Sequence, residues 1–297
     1  MQMHVQPGLL YRYDPTSVPL PIVIDVSRSG REYPPDMRSN VPFTAIHDNA
    51  SMYVEEIWGD APKYGGTLLY ALFPHMYIDA NRNELDIDPE LVEGEWPVPL
   101  QPDVSKRGLG LLKSKSRYGE PVQEKKLTFA EVEDRLNRYH RPYHAELRSI
   151  IDRQKAAFGF VYHLTCHCMS AIGAPTHIDP GQERADFCIG DLRGAGASEA
   201  FVQAFEKEIK ALGYTSTRNM PYDGGEIVRR YGNPSEGIDS IMVEINKKRF
   251  MDTATFQKNG GFESIKTAAN ALMEALARSA RERIRHGEHS GATRLRA

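Results

Sequence analysis

Apolar and polar positions along the chain alternate in blocks that predict strands and helices in turn. Short runs rich in β-branched and aromatic residues predict strands over 21–26, 66–73, 76–80, 159–165, 214–218 and 240–245. Apolar residues at helical spacing predict helices over 50–59, 128–147, 198–212 and 263–285. Strands that alternate with helices are typical of an α/β sandwich built on a largely parallel or mixed sheet.

Local signals mark where the predicted helices begin and end. Thr128 followed by Glu131 forms a capping box, and Pro142 should kink or restart the helix that follows. Ser198 is placed to cap the next helix and Gly213 to end it. These signals agree with the apolar spacing and strengthen the helical predictions.

Two segments do not fit the alternating pattern. Residues 83–127 are polar and interrupted by Pro and Gly, and they contain the basic stretch KRGLGLLKSKSR. A segment of this length is either a mobile surface excursion or hairpin, or a segment that serves a site. The basic residues 286–297 are predicted to be a disordered tail. With no repeat and no clear linker, residues 1–285 are interpreted as a single domain.

Composition narrows the class of protein. The 297 residues carry 37 Lys plus Arg and 40 Asp plus Glu, a formal charge of −3, so a surface that neutralises nucleic-acid phosphates is not expected. No apolar run approaches the roughly 18 residues that a membrane span requires. The 3 cysteines suit a reducing compartment, and the N-terminal residues do not read as a secretory signal. We therefore predict a cytoplasmic protein without nucleic-acid or membrane partners.

Polar residues follow several predicted strands, where open α/β sheets place their sites. These residues are Arg28, the pair Asn81–Arg82, His167, and Glu244 with Asn246. Together they offer a guanidinium group for a carboxylate, a possible metal ligand and a general base. That combination suits the hydrolysis of a small anionic amide.

Other candidate groups are weaker. His167 lies between Cys166 and Cys168, but an extended chain points the cysteines to one face and the histidine to the other. His140 and His144 have the four-residue spacing of a helical zinc pair without its catalytic glutamate, which argues against a metalloprotease. Three further groups remain open: His75 and His163 as ligands or packed histidines, His47–Asp48 as ligands or a capped turn, and Gly224–Gly225 as a ligand approach or a surface turn.

Six ordered strings resemble the N-formylglutamate amidohydrolase family, and they span about residues 22–252. They are RSGREYP, YIDANR, RPYHAEL, CHCMS, RNMPYDGGEIVRRYG and VEINKKRFMD. The resemblance implies a three-layer α/β/α sandwich with a mixed sheet, like that of zinc carboxypeptidases. It also implies zinc-dependent hydrolysis of N-formyl-L-glutamate to formate and L-glutamate, a late step of histidine breakdown.

The resemblance also implies roles for single residues. Asn81 and Arg82 would hold the substrate carboxylate, and His167 would be a zinc ligand. Glu244 would activate the metal-bound water as general base. Four residues of one string would line the substrate pocket, namely Asn219, Tyr222, Gly224 and Gly225.

This chain departs from the family pattern where the metal would bind. Arg28 stands where the family has a histidine ligand, and Ala50-Ser51-Met52 replaces an acidic pair. Thr165 or Cys166 takes the place of the aspartate that would orient His167. Either His47, Asp48 or His75 rebuilds a metal site, or the pocket is free of metal and Arg28 binds an anion such as a carboxylate or phosphate.

Two functions therefore compete. The first is a metal-dependent amidohydrolase acting on an N-acylated acidic amino acid, with formylglutamate as the default substrate and Glu244 as base. The second is a catalytically inactive, metal-free family member that binds an acidic metabolite or a partner protein. A nucleic-acid or membrane binder using the basic stretch and tail is a third, weaker reading, because such charge runs are usually solvated faces. The oligomeric state stays open.

Overall fold

The structure is a computed structural model that describes the backbone of residues 3–294 and the side chains of 3–287. Eight of its strands form one mixed sheet, in the order β1-β2-β4-β3-β7-β10-β8-β9. Two short strands, β5 and β6, pair separately. The bounds are β1 Met3–Gln6, β2 Leu10–Tyr13, β3 Ile22–Val26, β4 Thr67–Ala71, β5 Val92–Glu93, β6 Leu127–Thr128, β7 Val161–Met169, β8 Phe187–Gly190, β9 Ser216–Arg218 and β10 Ile238–Asn246.

The four central strands β4, β3, β7 and β10 run parallel, so their carboxyl ends meet at one edge of the sheet. Strands β2 and β8 join this group in the antiparallel direction. The chain passes from β3 to β4 on one side and later to β7 on the other, which creates a change of direction beside β3. Open α/β sheets bind ligands at such a point.

Helices cover both faces of the sheet. Their bounds are α1 Phe43–His47, α2 Val54–Ile57, α3 Phe129–Arg135, α4 Arg141–Phe158, α5 Glu199–Ala211, α6 Glu226–Tyr231 and α7 Phe262–Arg294. One apolar core joins α2, α5 and α7 to the sheet, and a second joins α3, α4 and α6 to its other face. The predicted three-layer α/β/α sandwich with a mixed sheet is therefore confirmed.

Alternation along the central strands assigns their side chains to these two cores. In β7, Leu164 and Cys166 are buried in the first core and Cys168 packs against it, whereas His163 and His167 face the other side. The sequence prediction for the Cys-His-Cys segment is confirmed, because successive side chains of a strand point to opposite faces.

The signals around Pro142 are also confirmed. Thr128 Oγ1 accepts a hydrogen bond from the backbone N–H of Glu131, whose carboxylate accepts one from the N–H of Thr128. A π-helical turn, Leu136–His140, separates α3 from α4. Since Pro142 has no N–H to continue an α-helical ladder, the helix restarts just before it.

Two predicted elements are wrong. Residues 76–80 are buried turns rather than a strand, because apolar side chains that fill the second core read like a strand in sequence. The helix predicted over 50–59 is only the four residues of α2, since Tyr53 has a positive φ of 66° and an α-helix cannot pass through it. Strands β1, β2 and β8 were not predicted.

The last helix, α7, continues to Arg294, beyond the predicted end at 285. A disordered tail was predicted over residues 286–297. The side chains of 288–297 and the backbone of 295–297 lie outside the described part of the chain. Within residues 3–294, no helix combines the length and the apolar character needed to cross a membrane.

Candidate active site

A charged cleft opens at the carboxyl edge of the parallel strands. Its outer chamber, of about 530 Å³, is bordered by residues 101–109 and 219–226. Its inner chamber, of about 100 Å³, reaches toward His75, Lys113 and Lys247. Six residues line both chambers, and they are Arg28, Arg82, Leu109, His177, Tyr222 and Glu244.

Glu244 lies near the end of β10 and is 3% exposed. Its Oε2 is buried and has no hydrogen-bond partner among the described residues. Burial raises the pKa of Glu244 to about 7, although the positive charges of Arg28 and Arg184 oppose the shift. The side chain can therefore exchange a proton near neutral pH, as a general base must.

Arg28 follows β3 and points into the cleft, where it lines both chambers. Its Nε and Nη2 donate to the two carboxylate oxygens of Asp79 at 3.0 and 2.6 Å. Lys113 Nζ donates to Asp79 Oδ2 at 2.6 Å. Against the effect of burial, Arg28 and Lys113 hold the pKa of Asp79 well below its ordinary value. One buried carboxylate thus neutralises two cations only in part.

Asn81 is held between α6 and His167. Its Oδ1 accepts a hydrogen bond from the backbone N–H of Ile227 at 2.9 Å, so its Nδ2 faces His167 Nε2 at 3.3 Å. Gly225 has a φ of +85° and no Cβ, and a Cβ there would lie 2.9 Å from Asn81 Oδ1. The glycine therefore lets α6 begin close enough to fix the amide of Asn81.

Two histidines of the helical region hold the turn that carries Asn81 and Arg82. His144 Nε2 lies 2.8 Å from the carbonyl oxygen of Ala80, and His140 Nε2 lies 3.0 Å from that of Arg82. The sequence argued against a zinc motif at this pair, but it did not predict that the two histidines support the turn of Asn81 and Arg82. The four-residue spacing signalled a shared helix face, but the partners lie about sixty residues away in the chain.

Arg82 lines both chambers and has no carboxylate partner among the described residues. Its Nε donates to the carbonyl oxygen of Leu109 at 2.9 Å and its Nη1 to that of Asn81 at 2.7 Å. Burial and the nearby charge of Arg28 lower the pKa of Arg82 to about 10. Because a partly buried guanidinium without a carboxylate partner attracts anions, Arg82 suits the predicted contact with a substrate carboxylate.

The segment 219–226 forms the opposite wall of the outer chamber. Asn219, Gly224 and Gly225 line this chamber, and Tyr222 lines both chambers. The hydroxyl of Tyr222 accepts a hydrogen bond from Arg184 at 3.1 Å. Asn219 instead uses its side chain to hold Asp191, with Nδ2 donating to Oδ1 at 2.5 Å. The structure thus brings these four predicted residues to the cleft, and their roles toward substrate stay predictions.

The donor groups present do not fit a catalytic zinc ion. A zinc site needs three protein ligands with free donor atoms. Nε2 of His167 contacts Asn81 Nδ2 and Thr165 Oγ1 at 3.3 and 3.2 Å. Its Nδ1 is buried without a partner among the described residues, so His167 offers one free ring nitrogen, but it lines neither chamber. Arg28 places a positive charge where a ligand is needed. Within the residues described, no three His, Cys, Asp or Glu side chains form a group able to hold a metal ion.

Three of the four candidate metal ligands are engaged with other side chains, and His75 is the exception. His47 Nδ1 lies 2.8 Å from the hydroxyl of Tyr33, and Asp48 pairs with Arg117 at 2.5 Å. His163 is a packed histidine between Asp25 and Ser240, at 3.0 and 2.8 Å. His75 lines the inner chamber, and burial lowers its pKa well below the ordinary value. A rebuilt zinc site is therefore not supported.

The comparisons with known proteins agree on one family. The family model described as N-formylglutamate amidohydrolase matches residues 20–251. The chain is similar to the N-formylglutamate deformylase of Pseudomonas putida, at 24% identity over 78% of this chain and 82% of that protein. It is also similar to the N-formylglutamate deformylase of Pseudomonas aeruginosa, at 24% identity over 89% of this chain and 95% of that protein.

A solved structure extends this similarity to the fold. The N-formylglutamate amidohydrolase from Ralstonia eutropha JMP134 matches 93% of this chain and 99% of its own, with a TM-score of 0.86 and 35% sequence identity. The fold and the cleft thus define an α/β/α protein with its site at the carboxyl edge of a mixed sheet. The chain belongs to the N-formylglutamate amidohydrolase family.

Proposed function

We propose that this protein is an amidohydrolase that cleaves N-formyl-L-glutamate, or a related N-acylated acidic amino acid, to formate and L-glutamate. The observation that carries the proposal is Glu244, a buried carboxyl group with a pKa raised to about 7 beside Arg28 and Arg82 in one cleft. Its relatives are named for this activity. A cytoplasmic location and a place in histidine breakdown remain predictions of the same proposal.

The chain's own residues supply the following chemistry. Arg82 binds a carboxylate of the substrate, and ionised Glu244 takes a proton from water as its oxygen adds to the acyl carbon. Arg28 Nη1, the nitrogen not bonded to Asp79, donates to the oxygen that becomes negative. Glu244 then returns the proton to the amide nitrogen as the C–N bond breaks. No step is assigned to a metal, because the donor set does not fit one.

The alternative, an inactive protein that binds an acidic metabolite, rests on the replacement of the expected ligands. We favour the enzyme, because a carboxyl group with a pKa of about 7 is ionised in part at neutral pH, which suits a general base and disfavours the binding of an anion. An anion-binding pocket gains from cations and loses from a carboxylate that repels the ligand. A binding protein would therefore improve if Glu244 were neutral.

The test is formate release from N-formyl-L-glutamate by the wild type and by Glu244→Gln, each with and without a zinc chelator. We expect the substitution to lower kcat by about 10²- to 10⁴-fold, as for loss of a general base, while L-glutamate binds at least as tightly as to the wild type. The chelator should leave the rate unchanged. Full turnover by Glu244→Gln would refute the mechanism, and no turnover by the wild type would favour the binding protein.

A further inference from the structure

The inner chamber holds an excess of buried positive charge. Five cationic side chains line it within the described part of the chain, and they are Arg28, Arg82, Lys113, Arg117 and Lys247. Two aspartates each serve two of these cations: Asp79 pairs with Arg28 and Lys113, and Asp48 pairs with Arg117 and Lys247. Arg82 has neither, and Glu244 is the one further carboxyl group of the chamber wall. One to three positive charges remain uncompensated, depending on the protonation of Glu244 and Lys113, whose pKa values are both about 7.

Such an excess is costly unless something in the chamber balances it. Lys113 and Lys247 are each 3% exposed, so water cannot screen them as it screens surface lysines. Burial lowers the pKa of Lys113 to about 7, with Arg82 and Arg28 adding to the effect. An anion inside the chamber would relieve this repulsion, and a cation would increase it.

Two of the cationic groups that line the chamber have N–H donors that the protein does not fully use. Lys113 is not one of them, because its three protons go to Asp79 and to the carbonyl oxygens of Leu109 and Gly110. Arg117 Nε is buried without a partner among the described residues. Lys247 Nζ contacts only Asp48 among the described residues, through its backbone oxygen and, at 3.8 Å, its carboxylate. Arg117 and Lys247 are therefore the donors through which a ligand would be held.

We propose that the inner chamber is a binding site for a small carboxylate anion, held by Arg117 and Lys247 and attracted by the charges of Arg28, Arg82 and Lys113. The volume of about 100 Å³ is sufficient for a small anion such as formate or for one carboxylate group of a larger ligand. The positive charge that a metal ion would bring to this cleft is already present as side chains. The inference deepens the proposed function and rests on it only for the source of the carboxylate.

Two sources share this chemistry: the formate released by hydrolysis, and a carboxylate of the substrate itself. Part of the chamber wall comes from the segment 83–127. Lys113 and Arg117 of its basic stretch line the chamber, whereas Lys106 and Lys115 are exposed. The stretch that looked like a solvated charge run in sequence therefore forms part of the chamber wall.

The experiment measures binding of sodium formate to the full chain by titration calorimetry, with sodium chloride at equal ionic strength as the reference. Lys247→Met should weaken formate binding by about 10- to 100-fold, the cost of one hydrogen bond to a charged group. Its matched control is Lys248→Met, because Lys248 is the neighbouring residue, is exposed and lines neither chamber. The control should bind formate like the wild type.

Arg117→Gln provides a second variant if Lys247→Met does not fold, since it removes a less buried cation and leaves Asp48 paired with Lys247. Equal formate affinity in the wild type, both variants and the control would overturn the proposal. A second titration at saturating L-glutamate separates the sources: formate that still binds is the released acid, and formate that is displaced marks a substrate carboxylate site. Turnover is not measured, so failure of the proposed hydrolysis would leave this result unaffected.

Discussion

Glu244 combines a poor environment for a charge with a position in the cleft, where we propose that it acts as general base. Its carboxyl group is buried at the end of β10, opposite His167 in the neighbouring strand, and one oxygen has no partner among the residues described. Folding therefore favours the protonated form, whereas a general base must be ionised. A residue placed for reaction rather than for stability shows this conflict.

Because burial disfavours the ionised form of Glu244, we predict that Glu244→Gln increases the stability of the fold at pH 8. The pKa of Glu244 is about 7 in the folded protein and near 4.5 in the unfolded chain, so the folded state binds more protons between these values. Stability is then lost as pH rises from about 4.5 to 7. Gln mimics the protonated acid, and we expect a gain of about 1–3 kcal/mol in the free energy of unfolding at pH 8.

Denaturant titrations of both proteins at pH 8 and pH 4 would check this. At pH 4 the wild-type carboxyl group is protonated in both states, so the difference should nearly vanish. A variant that is less stable than the wild type at pH 8 would show that ionised Glu244 contributes favourable pairing instead.

At the scale of elements, α4 supports the site through a turn rather than through substrate contact. His144 bridges the carbonyl oxygen of Ala80 and the hydroxyl of Tyr231, at 2.8 and 2.7 Å. Burial lowers the pKa of His144 well below its ordinary value, so the ring is neutral and offers one donor and one acceptor. The helix thereby holds the backbone beside Asn81 and Arg82.

His144→Leu should therefore act on both stability and activity. Loss of the ring nitrogens leaves the Ala80 carbonyl oxygen without its partner, which costs about 1–3 kcal/mol, whereas the Tyr231 hydroxyl can still donate to the backbone carbonyl oxygen of residue 144 at 3.0 Å. Because Arg82 shifts with the turn, we expect kcat/KM to fall by about 10- to 100-fold, mainly through a higher KM.

His144→Gln is the matched variant, since its amide can still donate near the position of Nε2. It should recover most of the KM, as measured by steady-state kinetics on folded protein well below the melting temperature. Equal KM values for His144→Leu and the wild type would mean that the turn holds its position without the histidine.

At the scale of the whole molecule, the two apolar cores have different relations to the site. Glu244 and His167 lie on the sheet face that carries the second core, with α3, α4 and α6. Helix α7 packs on the opposite face, with the first core. Strain in the first core reaches Glu244 and His167 only through the sheet, whereas strain in the second core acts on their own face of the sheet.

Two matched core substitutions would test this difference. Leu272→Ala in α7 and Leu147→Ala in α4 each remove a fully buried side chain and should each cost about 2–5 kcal/mol of unfolding free energy. Only Leu147→Ala should reduce kcat/KM at a temperature where both variants remain folded. Equal kinetic effects would show that the sheet transmits strain between its faces.

The sequence by itself determined the fold class, the family and most of the elements. Alternating strands and helices, the capping box of Thr128 and the restart at Pro142 depend on contacts between near neighbours, which are readable from spacing. It also marked the residues that gather at the strand ends, because parallel strands end at a common edge. Residues 76–80 were misread because burial, not extension, makes them apolar.

Only the tertiary structure decided what these residues do together. Three contacts join residues far apart in the chain: Arg28 and Lys113 with Asp79, Asn81 with His167, and Arg117 with Asp48. The sequence left open whether residues 83–127 form a surface excursion or serve a site, since a sequence does not show which lysines are buried. Burial and charge sum over neighbours from many segments, so the pKa of Glu244 and the excess of charge in the inner chamber appear only when the chain is folded.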